Sequence, residues 1–175
     1  MFNAAFTVGR HSPFWINKPI MGNTMTASTY TARNSGDKIE PSRAASALER
    51  WRRVVAEALG GDPGAPLDQP DRRLLMLRIF GTTRRLADLC MTYPDAAATA
   101  LMDGASPILA QAARDMSALD RGVGGPDALH AALAPLKNRV DVAIAIAELS
   151  GQWGVAEAAA ARVDFTERMV ETGLR

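Results

Sequence analysis

The sequence predicts an all-α protein, a bundle or array of about seven to eight short helices with a loosely ordered N-terminal arm. Alanine is abundant, most densely from Ala156 to Ala161, and it is the strongest helix former because its side chain loses no entropy in a helix. Apolar residues recur at steps of three and four, the helical period. No window alternates apolar and polar residues with β-branched enrichment, so no strand is predicted.

Length and charge narrow the class of protein. The 175 residues suit one domain with a substantial core. The 20 basic and 19 acidic residues give a formal charge of +1, which offers no general attraction to nucleic acid or acidic membranes. The single cysteine, Cys90, excludes an internal disulfide and favours a reducing compartment. Charged residues and prolines interrupt the apolar residues of Met1 to Ile20, so we predict no signal peptide and expect a cytoplasmic protein.

Residues 1–41 are predicted to be a poorly ordered arm, and residues 42–175 a helical domain. The arm is rich in Asn, Ser, Thr and Gly and shows no persistent period. Its aromatic cluster, Phe14-Trp15-Ile16, belongs either to a loosely attached terminus or to a segment that docks elsewhere.

The first helix is expected to begin at Pro41-Ser42, with Ser42 as its cap, and to stop at Gly60-Gly61. A single apolar stripe is predicted along it, made of Ala45, Leu48, Trp51, Val55 and Ala58-Leu59. Residues 62–70 read as a turn-rich linker, in which Asp68 caps the second helix and Pro70 is tolerated in its first turn.

Proline, glycine and hydroxyl residues delimit the middle helices. The second helix should end at Gly81, and Thr82 or Thr83 should cap a third that stops at Tyr93-Pro94. Pro94 opens a short fourth helix closed by Asp103-Gly104, and Ser106-Pro107 opens a fifth. Residues 120–126, rich in glycine, are predicted to form a flexible loop before the next helix.

The longest apolar run of the chain, residues 136–151, predicts a central helix packed by neighbours on several sides. Pro135 is expected to end or kink the helix before it. We expect Asp141, the charge within the run, to face a polar partner such as Lys137 or the surface. The most buried side is predicted to contain Val140, Ala143, Ile144 and Ala147. Charges within the run argue against a membrane span. A last helix follows Gly154.

The residues point to no catalytic, cofactor-binding or metal site. Cys90 lies in an apolar context and is interpreted as a buried thiol, whereas His130 is interpreted as a partly exposed bystander on its helix.

Residues 122–125 lack the Lys-Ser/Thr of a phosphate-binding loop. No two acidic residues stand two apart, so the Asp-x-Asp arrangement that holds Mg²⁺ is absent. The pairs Arg52-Arg53, Arg72-Arg73 and Arg84-Arg85 are interpreted as solvated helix faces.

Two segments carry a family resemblance. Residues 74–87 read Leu-Leu-Met-Leu-Arg-Ile-Phe-Gly-Thr-Thr-Arg-Arg-Leu-Ala and lead to Tyr93-Pro94-Asp95. Residues 136–139 read Leu-Lys-Asn-Arg and lead through the apolar helix to Glu-Leu-Ser-Gly-Gln-Trp at 148–153 and to Asp164-Phe165. Together they resemble bacterial glutamine synthetase adenylyltransferases (glutamate-ammonia-ligase adenylyltransferases), over about residues 70–175. That family has Phe-Gly-Asn-Ser-Pro-x-Leu in the first segment, and Leu-Arg-x-x-Lys-x-Arg and Asp-Leu-x-Gly-x-Trp in the second.

The resemblance is to the N-terminal helical region that precedes a nucleotidyltransferase domain. In that family the catalytic domain binds ATP and Mg²⁺ through a Gly-Ser segment and an Asp-x-Asp pair, and it adenylylates a tyrosine of glutamine synthetase in nitrogen regulation. The present chain ends about where that catalytic sheet would begin, so no catalytic residue carries over and no cofactor is expected in it. Thr82, Thr83 and Arg84 depart from the family's Asn-Ser-Pro turn, and Asp141 stands where the family is small or apolar.

The resemblance implies a scaffold segment without catalytic activity of its own. Its partner would be glutamine synthetase or a separate catalytic domain. A free-standing helical adaptor protein is the alternative. A helical nucleic-acid-binding module is the least favoured function, because the charges balance.

Overall fold

Seven α-helices and one 3₁₀ turn account for nearly all of residues 41–60, 64–119 and 125–174, which the computed structural model describes. The helices are α1 (Pro41–Leu59), α2 (Pro70–Thr82), α3 (Arg84–Thr92), α4 (Pro94–Asp103), α5 (Ser106–Leu119), α6 (Pro126–Leu149) and α7 (Val155–Gly173), and the 3₁₀ turn is Ala65–Leu67. No strand occurs in these three ranges, so the all-α prediction is confirmed. The predicted arm up to residue 40 and most of the predicted glycine-rich loop, residues 120–124, lie outside the described residues.

Helix α6 is the centre of the core. It contacts α3, α4, α5 and α7. Val140, Ala143, Ile144 and Ala147 are almost completely buried, as predicted, and so are Val142 and Ile146, which point to other sides of the helix. A helix that is apolar around its circumference needs neighbours on several sides to remove it from water. The central role predicted for this segment is therefore confirmed.

Of the two expectations for Pro135, that it ends or kinks the helix, the first is wrong, because α6 continues through it from Pro126 to Leu149. Proline lacks the N–H that would bond to the carbonyl of Ala131, so one hydrogen bond of the helix is missing here. Apolar side chains on both sides of this position, Leu133 and Val140, are buried in the same core. Tertiary packing therefore holds the two halves as one helix, and the separate helix expected before residue 136 is the first part of α6.

Helix α4 packs closely on α6 because its buried residues are small. Ala96, Ala97, Ala98 and Ala100 are at most 1% exposed. Helix axes stand about 8–10 Å apart, at the short end of that range where the contact residues are small. A glycine with positive φ, Gly104 (φ 84°), ends α4, as predicted from Asp103-Gly104.

The apolar stripe of α1 differs from its prediction at both ends. Ala44 is buried instead of Ala45, and Ala58 and Leu59 are exposed. The central members, Leu48, Trp51 and Val55, are buried as expected. The last residues of α1 extend beyond the core, and the spacing of apolar residues in the sequence does not show where a helix leaves the core.

Trp51 connects α1 to two other helices. Its indole Nε1 donates a hydrogen bond of 3.0 Å to the backbone carbonyl of Cys90, in α3. Its ring lies 6.4 Å from that of Phe80, in α2, at an interplanar angle of 56°, a tilted arrangement that aromatic pairs favour. A fully buried indole needs a hydrogen-bond acceptor, and the α3 carbonyl supplies it.

The predicted caps of α1 and α2 are wrong, and that of α3 is right in position but makes no side-chain capping bond. Ser42 lies inside α1. Gln69, not Asp68, is the N-cap of α2, because a residue before proline prefers the extended backbone that Gln69 adopts. Thr83 occupies the N-cap of α3 without a side-chain capping bond, while the Thr82 hydroxyl donates to the carbonyl of Arg78.

Replacing Trp51 with Phe is expected to lower the free energy of unfolding by about 1–3 kcal/mol. The change leaves the Cys90 carbonyl without its donor and creates a small void. Urea denaturation followed by circular dichroism measures the loss. The control is Trp153→Phe, since Trp153 is only partly buried and its indole bonds to no described residue. Equal losses for the two variants would contradict the role assigned to the Trp51 hydrogen bond.

Candidate functional site

Cys90 is buried within α3 and is not poised for nucleophilic chemistry. The side chain is fully excluded from solvent. Burial raises the pKa of its thiol to about 12, because a thiolate is poorly solvated in the apolar core. The thiol therefore stays protonated at neutral pH. Its interpretation as a buried structural cysteine is confirmed.

His130 is exposed on the first half of α6, where a partly exposed side chain was expected. Across residues 41–60, 64–119 and 125–174, no group of three or more His, Cys, Asp or Glu side chains is arranged to hold a metal ion. The chain's other histidine, His11, lies outside the described residues.

The paired arginines are surface residues with different surroundings. Arg52 forms an ion pair of 3.3 Å with Glu49, one turn away on α1. Arg84 lies 4.0 Å from Asp88 on α3. Exposed pairs of this kind contribute about 0–1 kcal/mol each. Arg84 fits the solvated face predicted for it, whereas Arg52 is only partly exposed and its Nε is withdrawn from solvent.

A polar link joins the first turn of α4 to the middle of α6. Arg139 donates to both carboxylate oxygens of Asp95, from Nη1 at 3.2 Å and from Nη2. Next to it, Asn138 Nδ2 donates to the hydroxyl of Tyr93 at 3.2 Å. We call these four residues the α4–α6 link. Two-pronged guanidinium–carboxylate contacts are among the stronger hydrogen bonds and fix orientation as well as distance.

The sequence around Pro94 places the carboxylate of this link. Pro94 begins α4, so Asp95 falls in the first helical turn. A carboxylate there is favoured by the positive end of the helix dipole. The Asp95 and Arg139 side chains remain about one-third exposed, at 36% and 35%, so the pair avoids the full desolvation cost of a buried ion pair.

The α4–α6 link also brings together the two segments that resemble the adenylyltransferase family. Tyr93 and Asp95 close the first segment, and Asn138 and Arg139 open the second. The partners are 44 and 45 residues apart in the chain. The sequence pattern does not predict this contact, because each segment by itself indicates only where a helix begins or ends.

Two further ion pairs involve α6. Lys137 Nζ lies 2.6 Å from Asp141 Oδ2, one turn along the same helix. The expectation that Asp141 faces a polar partner is therefore confirmed. Arg162 of α7 lies 2.8 Å from Glu148 of α6, so the last helix is tied to the central one by charge as well as by apolar contact.

The outer side of α7 carries apolar side chains that no described residue covers. Its members, which we call the α7 face, are Val155, Val163, Val170 and Leu174, exposed by 74%, 55%, 55% and 82%. The separations of eight and seven residues place the three valines along one side of the helix, and Leu174 is the residue that caps its C-terminal end. The opposite side is buried through Ala158 and Phe165.

Sequence reasoning identified α7 but not its second apolar stripe. The sequence of α7, a helix of 19 residues, contains two sets of apolar residues on different sides of the helix. A surface helix of a free domain needs only one such set, the one that faces the core. Beside the α7 face, a groove of about 420 Å³ separates α7 from α6. Val170 borders it, and its walls include Val140, Ile144, Phe165 and Met169.

No helix within the described ranges is long and apolar enough to cross a membrane. Comparisons with protein-family models, with curated proteins and with solved structures find no match to this chain. Its candidate functions therefore rest on its own residues and their geometry.

The α4–α6 link predicts energetic coupling between Asp95 and Arg139. In a double-mutant cycle of Asp95→Asn and Arg139→Gln, we expect a coupling of about 1 kcal/mol or more in the free energy of unfolding, because the contact is two-pronged and partly shielded. Urea denaturation of the four proteins measures it.

The matched control is the same cycle on Glu49 and Arg52, an exposed pair within one helix, for which about 0.3–0.5 kcal/mol is expected. Coupling between Asp95 and Arg139 no larger than in this control would show that the link does not stabilise the contact of α4 with α6.

Proposed function

We propose that this chain is a non-catalytic helical scaffold and interaction module of a glutamine synthetase adenylyltransferase-like protein. In this proposal the helical domain presents its α7 face to a nucleotidyltransferase catalytic domain, whose action on glutamine synthetase it supports. The observation that carries the proposal is the α4–α6 link.

The link supports the family relationship for a geometric reason. The two segments that carry the resemblance lie in contact, as the parts of one structural unit would. Here Asp95, at the end of the first segment, pairs with Arg139, at the start of the second. Asn138 and Tyr93 make a second contact between the same segments. The two halves of the resemblance therefore behave as one structural unit.

The proposal assigns no chemistry to this chain alone. Nucleotidyl transfer needs carboxylates that hold Mg²⁺ against the phosphates, and the sequence contains no two acidic residues separated by one position. ATP and Mg²⁺ would be bound by the catalytic domain of the full-length family member.

The α7 face supports a role in association. Burying a valine or leucine side chain that is exposed contributes about 1.5–3 kcal/mol. Four such side chains along α7 and at its C-terminal end, beside an apolar groove, therefore offer a partner a substantial driving force. The same face would serve a free-standing helical adaptor, the second candidate, and the identity of the partner distinguishes the two.

The absence of independent catalysis is tested by incubating the purified chain with labelled ATP, Mg²⁺ and unmodified glutamine synthetase. We expect no label on the synthetase above background, with a full-length adenylyltransferase as the positive control. Transfer of label by this chain alone would contradict the proposal.

The association is tested by calorimetric titration of the chain with a separately purified adenylyltransferase catalytic domain. We expect the double substitution Val163→Gln and Val170→Gln to weaken binding at least tenfold. Because both valines are exposed, the free energy of unfolding should change by no more than about 0.5 kcal/mol per substitution.

Leu74→Gln is the matched control, since Leu74 is 50% exposed but belongs to α2. It should leave the affinity unchanged. If the catalytic domain does not bind, while a different purified protein binds through the α7 face, the adaptor function replaces the proposed one.

A further inference from the structure

A second concave surface lies where α1 passes the turn between α2 and α3. Its volume is about 540 Å³, compared with about 420 Å³ for the groove between α6 and α7. Arg43 and Arg50 reach it from α1 and Arg84 reaches it from α3. We call it the arginine groove. Its size is within the range of about 300–1,000 Å³ that is typical of small-molecule sites.

The arginine groove has an excess of positive charge. Among the residues that the structure describes, three guanidinium groups line it against one carboxylate, Asp88, which lies 4.0 Å from Arg84. Arg43 and Arg50 form no ion pair or hydrogen bond with any residue that the structure describes. By contrast, Arg52, on the same helix, is paired with a carboxylate. Two of the three groove arginines are therefore free to bind an anion from solution.

The spacing of the arginines indicates the size of that anion. Arg43 and Arg50 are seven residues apart on α1, which places them on one side of the helix and about 10 Å apart along its axis. Guanidinium groups bind phosphate oxygens in a two-pronged manner. A linked pair or triplet of phosphates is long enough to contact both arginines at once. The positive end of the α3 dipole, at Arg84, adds to the attraction.

The surroundings favour a small molecule over single-stranded nucleic acid. Phe80, the one aromatic residue in the described lining of the groove, is 9% exposed, so it does not provide the stacking surface on which single strands bind. The basic residues converge on one concavity, whereas the chain as a whole carries a formal charge of only +1. A basic track along the surface would be expected for a polynucleotide.

We propose that the arginine groove binds a small molecule that carries two or more linked phosphate groups. This site is separate from the α7 face and from the catalytic-domain association proposed above, and it holds the ligand without any chemical step. It adds a ligand site to a module whose other surface is apolar.

The test is calorimetric titration of the full chain with pyrophosphate at low ionic strength, compared with orthophosphate. We expect saturable binding of one pyrophosphate, at least tenfold tighter than orthophosphate. The double substitution Arg43→Gln and Arg50→Gln should weaken pyrophosphate binding at least tenfold. Arg43→Lys with Arg50→Lys, which keeps the charge but loses the two-pronged contact, should give an intermediate affinity.

Arg53→Gln is the matched control, because Arg53 is an exposed arginine of α1 that does not line the groove. It should change the affinity less than twofold. The proposal is overturned by no saturable binding, by equal affinity for the two anions, or by an equal loss in the control variant. Tighter binding of a single-stranded oligonucleotide than of pyrophosphate, lost in the Arg43 and Arg50 variant, would assign the groove to nucleic acid instead.

Discussion

The rest of the fold depends on the burial of α6 on several sides at once. Between residues 140 and 147, the side chains at six of eight positions are at most 1% exposed. No single neighbour can cover such a helix, so α3, α4, α5 and α7 must all pack against it. The alanines of α4 allow one of these neighbours to approach closely, and that approach places Asp95 within reach of Arg139. The apolar packing of α4 on α6 thus determines which polar side chains can pair.

Charge contributes mainly to the arrangement of the helices. Among the residues that the structure describes, no polar or charged residue is buried. The ion pairs of α6 are partly exposed to solvent. The Asp95–Arg139 and Glu148–Arg162 pairs each select one relative position of two helices. Apolar burial stabilises the bundle, while these contacts favour one packing arrangement over others. The α7 face takes no part in the packing of the bundle, because no described residue covers it. We therefore assign it to a partner.

Much of the fold could be predicted from the sequence because its signals are local. Helical periodicity and alanine content give the class, and Pro94 and Gly104 mark the limits of α4. The continuity of α6 through Pro135 could not be predicted, since packing on both sides compensates for a missing hydrogen bond. The contact of Asp95 with Arg139 and the convergence of arginines in the groove were also missed. Both depend on residues that are distant in sequence, and no local pattern encodes their approach.

Native-state hydrogen exchange, read by mass spectrometry, tests most directly whether α6 is the core on which the bundle depends. The backbone amides of residues 140–147 should exchange more slowly than all others and only through global unfolding. Those in the second half of α7, whose outer face is exposed, should exchange through local opening. Exchange of residues 140–147 as fast as that of α7 would contradict the central position of α6.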